Sequence, residues 1–551
     1  MGTFNGLQMA KRALHTQQAA LYTTGHNIAN ANTKGYTRQR VNMEATAPYP
    51  AIGRNQAQIP GQIGGGVAAG SIERIRDSFV DKQYRQENNK VGYYQSRADM
   101  MSKMEAILNE PSEQGLGKVI SEFWQSLQEL SAHPEHSGAR AVVKERANAV
   151  ADAFHHIHTS LQQVRDNLRT EIDVDGTKVN SLVDQINQLN AQIANIEPHG
   201  YLPNDLYDER DRLIDELSQY VDIKVDYRKS TGGPSPLAEG IVTISLITDQ
   251  NNIENGNGDP IKLVDGSLGI KPGSEEAVKH VFSAFDDNNN VQAFFFASPD
   301  PTLSKEEQLA DLVADYGNQV HIYADNFDVQ GKLKSLMEGA GYLSGFEYGG
   351  AAGEAKGTYN QMLDDLDKFV AAFVTEFNAV HRQGFTLESD ENGPMQGGDF
   401  FTGTTAATIA VSDEIDGNPD LIAASKSGAE GDGSHASELA NIYSKRVENY
   451  LSYDPNDPDQ LDAKVSLKSF FEGLIGEMGV NAEEANRMRN NSEILRQQVE
   501  ETRHSISSVS LDEEMTNLIQ FQHAYNAAAR SMTAVDEMLD RIINNMGLVG
   551  R

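Results

Sequence analysis

The chain has 551 residues, no cysteine, and 80 acidic against 46 basic side chains, for a net charge of −34. That length calls for several domains at roughly 150 residues each, the charge repels nucleic acid and anionic membrane, and the missing cysteines remove disulfides and thiolate chemistry. No window nears the roughly 18 consecutive apolar residues of a membrane span, and no apolar stretch of a cleavable signal peptide follows Lys11 and Arg12.

Residues 4–30 predict a helix with Leu7, Leu14, Leu21 and Ile28 at heptad spacing. Its flanks are Ala, Thr and Gln, among them Gln17, Gln18, Thr23 and Thr24, so alone it has too little to bury to be stable in water. Gly64, Gly66 and Ala69 fit G-x-G-x-x-G/A, but no strand precedes them and no acidic residue stands at the ribose spacing; they read as a flexible connector.

From about 79 to 220 the period is helical. Val150, Phe154, Ile157, Leu161, Val164, Leu168 and Ile172 form one stripe, continued by Val179, Leu182, Ile186, Leu189, Ile193 and Ile196. Gly176 marks a place for a bend, and Pro111, Pro134 and Pro198 punctuate the region. Beyond Tyr220 the texture becomes β-rich: 222–227 alternates, 240–247, 278–285 and 291–297 are strand-like, and Asn-Gly pairs at 255–256 and 257–258 signal turns. Ser304 with Glu307 predicts a capped helix inside this region.

Helical period returns at Met362, Leu366, Phe369, Phe373, Phe377 and Val380. Residues 385–460, rich in Gly, Asp, Asn and Pro, read as a second inserted, partly β unit, and helix resumes near 461. The last heptads are Leu511, Leu518, Tyr525, Met532, Leu539 and Met546, with Phe521, Ala528, Val535 and Ile542 in the second row. This is an a/d seam, and two chain ends with such narrow stripes are built to pair with each other or with copies of the chain.

The fold class is therefore multidomain α+β, with paired N- and C-terminal coiled-coil helices, a long helical bundle domain and inserted β-rich outer domains. The expected boundaries are 1–60 for the N-terminal helix and the segment after it, 61–224, 351–384 and 461–504 for the helical domain, 225–350 and 385–460 for the inserted units, and 505–551 for the C-terminal helix. The ends meet, and the β units are expected far from them.

Chemistry is sparse. His155, His156 and His158 sit beside a buried stripe and read as solvated, with one i, i+3 pair too few for a metal. Asp286, Asp287 and Asn288–Asn290 lack the central Gly and closing Glu of a calcium loop, so a polar turn is expected. No G-x-S-x-G, H-E-x-x-H or P-loop occurs. The expectation is a non-enzyme without catalytic residues, cofactor or metal.

The segment Asn27-Ile28-Ala29-Asn30-Ala31-Asn32-Thr33-Lys34-Gly35-Tyr36-Thr37-Arg38 resembles the N-terminal motif of the flagellar rod, hook and hook-associated axial protein family. Within it, Asn27, Ala29, Asn30, Asn32, Thr33, Gly35 and Tyr36 carry the match. Glu73-Arg74-Ile75-Arg76-Asp77, Phe123-Trp124-Gln125-Ser126-Leu127, the run 197–211, and 510–514 with 520–525 resemble hook-associated members of that family. The resemblance implies a structural junction between hook and filament that self-associates in a helical tube. It further implies hook protein and a second junction protein as neighbours, an export chaperone on the C-terminal helices, and type III export to the extracellular flagellum without a cleaved signal. A secreted adhesin with a coiled-coil stalk is the alternative, but a stalk needs neither this motif nor a meeting of the two ends.

Overall fold

The computed structural model describes residues 4–48, 61, 64–108, 115–256, 258–390, 393–447 and 465–545. Pro111, Asn257 and Met546 lie outside these described residues. Helix α1 (Phe4–Ala29) is followed by a hairpin of β1 (Gln39–Ala45) and β2 (Val67–Arg74). The helical body then starts with α2 (Ser78–Leu108), α3 (Leu116–Ala132), α4 (Ser137–Ile196) and α5 (Asn204–Tyr220). It is completed by α8 (Thr358–His381) and α11 (Leu467–Ser507), and α12 (Leu511–Asn545) returns to α1.

The spine is α4, 60 residues without a break, about 90 Å at the usual rise. Its apolar row predicts this: Phe154, Leu161, Leu168, Ile172, Val179, Leu182, Ile186 and Ile193 are all fully buried. Gly176 does not bend it. The residue is buried within the helix, and the nearest atom to a side chain there would be Ser283 Oγ, at 4.0 Å. Pro134 falls between α3 and α4, and Pro198 sits in the short 3-10 turn that ends α4.

Two sheets lean on this spine. One is β3 (Ile223–Arg228), β4 (Ile241–Leu246) and β5 (Lys262–Val264), antiparallel throughout. The other contains β6 (His280–Phe285), β7 (Val291–Ala297), β8 (His321–Tyr323), β9 (Tyr342–Phe346) and β10 (Ala352–Lys356) in the order β10-β9-β7-β6, with β8 also on β7. The expected capped helix is α6 (Lys305–Ala314), with Glu307 N donating to Ser304 Oγ and Ser304 N donating to Glu307 Oε2. A second helix, α7 (Lys332–Ala340), was not expected; Leu333, Leu336 and Met337 bury its one apolar face.

Asparagines fasten these sheets to α4. Asn180 accepts from Val281 N and donates to Val281 O at 2.7 and 3.0 Å. Asn190 does the same to Val242 at 3.1 and 2.9 Å, and Asn187 bridges Gly273 N and Ser274 O. Residues 180, 187 and 190 share one helix face. Each primary amide supplies one donor and one acceptor, so it pairs with a peptide group as a strand neighbour would.

Residues 385–447 depart from the expected outer unit. Their strands are two small hairpins, β11 (Phe385–Asp390) with β12 (Gly393–Gln396) and β13 (Phe401–Thr402) with β14 (Ala410–Val411), followed by α9 (Asp413–Gly417) and α10 (Ser434–Ala440). Instead of standing off, Phe400, Phe401, Ile409, Ile422, Leu439 and Ile442 complete the same core as α3, α4 and α8. The Phe400 ring centre lies 5.0 Å from that of Phe377, edge to face, and 4.7 Å from that of Phe401, tilted against it. Gly, Asp and Asn set the turns here, while a few aromatics dictate where the segment docks. A last small pair, β15 (Arg446–Val447) and β16 (Val465–Ser466), leads into α11.

Replacing Asn190 with Leu strands the N–H and C=O of Val242, at about 1–3 kcal/mol for each group. Hydrogen exchange should show lost protection in β4 with the α3–α8 core unchanged; full protection at Val242 would contradict the clamp.

Candidate assembly interface

The pairing of α1 with α12 is antiparallel. Gly6 faces Val535, whose Cγ2 lies 3.6 Å from where a side chain would begin, and Asn27 reaches Glu514 at 3.1 Å. Both helices advance 21 residues between these contacts, so the register is continuous. Leu7, Leu14, Leu21 and Ile28 are half-buried, as are Leu518, Phe521, Tyr525, Ala528, Met532 and Val535; Leu539 is buried.

Two of the expected seam residues stand outside the pair. Leu511 is 46% exposed, because α1 ends at Ala29 and offers no apolar row beside it. Ile542, one heptad beyond Val535, is 38% exposed.

The deeply buried face of α1 is Ala10, Thr16, Ala20, Thr23, Thr24 and Asn27, not the leucine row. Thr23 and Thr24, expected on the flanks, are inside. This small-residue face lets the β1–β2 hairpin come close: Thr16 Oγ1 donates to Val67 O at 3.3 Å and Arg12 Nη1 to Gly65 O at 3.2 Å. Gly66, at φ +92°, lies where a Cβ would fall 2.9 Å from Met9 Cγ. Gly66 of the G-x-G-x-x-G/A match therefore serves close backbone approach to α1, and 67–74 is a strand, not a flexible connector.

At the other end of α1, Asn27 is 1% exposed with every polar capacity used. Its Oδ1 accepts from Tyr36 Oη at 2.8 Å and Gln39 N at 3.0 Å; its Nδ2 donates to Gln39 O at 2.8 Å and Glu514 Oε2 at 3.1 Å. One side chain thus fixes the turn after α1, the start of β1 and the start of α12. Asn30 and Thr33 close the turn by hydrogen bonds to each other and to His26 O, and Gly35 takes φ +85° over the Arg212 stem. Ala29, Asn32 and Gly35 are exposed. Burial, then Asp205, Asp208 and Glu514, push the Tyr36 phenol well above its ordinary range, keeping it a donor.

The three chain crossings between the α1–α12 pair and the body converge on α5. Thr37 N donates to Asp208 Oδ2 at 3.0 Å. Arg74 reaches Asp208 at 2.6 Å, Asp211 at 3.0 Å, and Glu239 between β3 and β4. Arg76 and Arg85 meet the same Asp211 at 2.9 and 3.3 Å. Arg503, near the end of α11, spans Asp81 at 3.0 Å and Asp215 at 2.7 Å. Arg38 forks to Glu513 at 2.7 Å and Glu514 at 2.8 Å, and its N–H donates to Ser507 O. Because Glu239 enters this cluster, the three-stranded sheet does not sit far from the paired ends.

Burial disfavours the charges of Arg74, Arg76 and Arg85, yet Asp211 for the first two and Asp215 for the third hold all three above the usual arginine value. Burial would likewise raise the Asp211 carboxyl; Arg76, Arg74, Arg85 and Arg210 overcome it and hold the group far below the usual range. None of these charged residues was singled out as a site from sequence. The signal was present: Asp208, Asp211 and Asp215 recur at i, i+3, i+7 on one face of α5, opposite the alternating Arg74 and Arg76.

His155 and His158 are half-buried and His156 is exposed; burial lowers the proton affinity of His158. Among the described residues no cluster of three metal-type ligands forms. The Asp286 carboxylate accepts from Asn288 N and Asn290 N and closes the β6–β7 turn.

Asp211→Asn leaves buried guanidiniums short of charge and should cost about 3–5 kcal/mol at pH 7. A carboxyl depressed in the fold stabilises above its unfolded value near 4 and loses this as pH falls through the folded one. The gap between mutant and parent in urea unfolding should therefore be constant from pH 8 to 5 and shrink below about 4; a gap that widens in acid would refute the assignment.

Three family models cover this framework. That of the flagellar hook-associated protein FlgK helical domain matches residues 101–401, that of the flagella basal body rod protein matches 7–37, and that of the flagellar basal body rod FlgEFG protein C-terminal region matches 504–546. Flagellar hook-associated protein 1 of Bacillus subtilis is 41% identical, across 100% of this chain and 99% of that one. The protein of that name from Escherichia coli is 24% identical across 97% and 98%. The solved structure of the flagellar hook junction protein FlgK from Burkholderia pseudomallei shares the fold at a TM-score of 0.52 and 12% identity, covering 79% of this chain and all of that one. With its ends, its helical body and its full length all matched, the chain belongs to the flagellar hook-associated protein 1 family.

Proposed function

We propose that this protein is a structural, non-enzymatic part of the extracellular bacterial flagellum, forming the junction between hook and filament on which the filament assembles. The observation that carries this reading, beside the family, is the α1–α12 pair. Its two apolar rows meet in register but, Leu539 apart, stay half-buried, and apolar residues remain outside it: Tyr22 is 71% exposed, Met515 57% and Ile519 51%. Copies set side by side in a helical tube complete this burial, and such head-to-tail contacts propagate.

In this reading 1–60 and 505–551 form the axial unit and 225–350 faces outward. Hook protein and a second junction protein are the axial neighbours. A small export chaperone covers the C-terminal helix until delivery, because an unmasked apolar face would associate early. Export uses the type III route and leaves the N-terminal helix in place.

Deleting the gene in a motile host should leave hooks without filaments and release flagellin into the medium; normal filaments would overturn the junction role. Leu518→Asp or Leu539→Asp places a charge in the α1–α12 contact and should abolish both assembly and chaperone capture. Electron microscopy of the complemented deletion strain checks the first and co-purification the second.

A further inference from the structure

Segment 385–447 is tied to the helical body through its stretch 420–424, and three buried side chains hold it there. Arg140 of α4, 2% exposed, donates to Pro134 O at 2.9 Å, to Ile422 O at 2.6 Å and to Asp420 O at 3.3 Å. His381, the last residue of α8, is fully buried: Ala423 N donates to its Nε2 at 2.9 Å, and its Nδ1 meets Gly398 O at 2.8 Å. His435 of α10, 1% exposed, sets its Nε2 3.0 Å from Val380 O, and its main-chain N donates to Ala424 O at 3.1 Å.

Carbonyl oxygens only accept, so these partners fix both tautomers. His381 carries its hydrogen on Nδ1 and keeps Nε2 bare to receive Ala423 N–H. A second proton would set N–H against N–H in a site closed to water. His435 carries its hydrogen on Nε2; its buried Nδ1 has no hydrogen-bond partner among the described residues, and Glu438 Oε2 stands 3.7 Å away. A proton there gains a carboxylate, whereas one on His381 loses a hydrogen bond. The surrounding charges do not offset that loss. Arg140 faces His381 from α4 and His435 from α10, while Asp399, next to Gly398, is held by Arg382. Around His435, Lys426 holds Glu438 at 2.7 Å, and Asp432 accepts from the main-chain N of Lys426 and Ser427. Burial, aided by His435 and Arg140 against Gly398 O and Asp399, pushes the His381 imidazole down to about 4; burial lowers His435 as well.

We propose that His381 is a proton-operated latch: neutral, it holds 420–424 and the docked segment against the end of α8, and protonated, it lets that segment open while the rest of the helical body stays folded. Opening uncovers Phe400, Phe401, Ile422 and Leu439, which otherwise complete the core. The sign follows from which state takes the proton. The freed imidazole binds it near pH 6.5, the docked one only near 4. Between these values the open state holds more protons, so opening grows as pH falls. The latch does not depend on the junction role.

The test is amide hydrogen exchange on the full chain. The protection factor at Ala423 N–H should fall about twentyfold from pH 7 to 5, with the middle of α4 unchanged. His381→Gln, whose amide donates and accepts without titrating, should flatten that response, and His435→Gln should retain it. A constant protection factor at Ala423, a fall shared by the whole helical body, or an equal fall in His381→Gln overturns the latch. Should His381→Gln already be undocked at pH 7, the titration of His381 Cε1–H in the parent by NMR decides: a midpoint near 4 supports the latch, and one near 6.5 with the segment still docked overturns it.

Discussion

Everything in this molecule turns on three carboxylates along one side of a 17-residue helix. Asp208, Asp211 and Asp215 hold the chain where it leaves α1, where it enters the body from β2, and where it comes back along α11. Ion pairs this deeply buried add little net stability over a well-packed apolar equivalent. What they supply is direction: a guanidinium fork accepts a narrow range of approach, so the crossings that carry Arg74 and Arg503 are each held at one angle. A greasy contact at the same place would tolerate sliding.

The second device is the buried asparagine. Asn27, Asn180, Asn190 and Asn378 each take the N–H and the C=O of one passing residue, at Gln39, Val281, Val242 and Phe401. All four lie on helices and all four fasten non-helical chain. Helices satisfy their own backbone and so give a sheet edge or loop nothing to bond. A primary amide projecting from the helix removes that mismatch. This is how two sheets and a loop-rich segment share one continuous core with the helical body.

Long apolar periods were legible in the amino-acid order. The rows of α4 and α8 named their buried faces, with Val164 and Ile196 alone left half-buried, and the Ser304–Glu307 cap marked a ten-residue helix. The β1–β2 hairpin was not legible, because its strands leave most residues partly exposed and carry no run of large apolar side chains. Nor was α7, whose nine residues are too few to establish a period. The inward turn of 385–447 was hidden by its turn-rich composition, since Phe400 and Phe401 decide its place and are only two residues. At the joint, charged residues looked like solvated surface until distant segments brought opposite signs together.

The antiparallel register of α1 and α12 has a mechanical consequence. Both helices are tethered to the body at the same pole, near Asn27 and Glu514, and both run away from it together. A load applied through the body therefore draws the two helices in one direction. It divides between them instead of shearing one past the other, and their shared rows of side chains keep their alignment under tension.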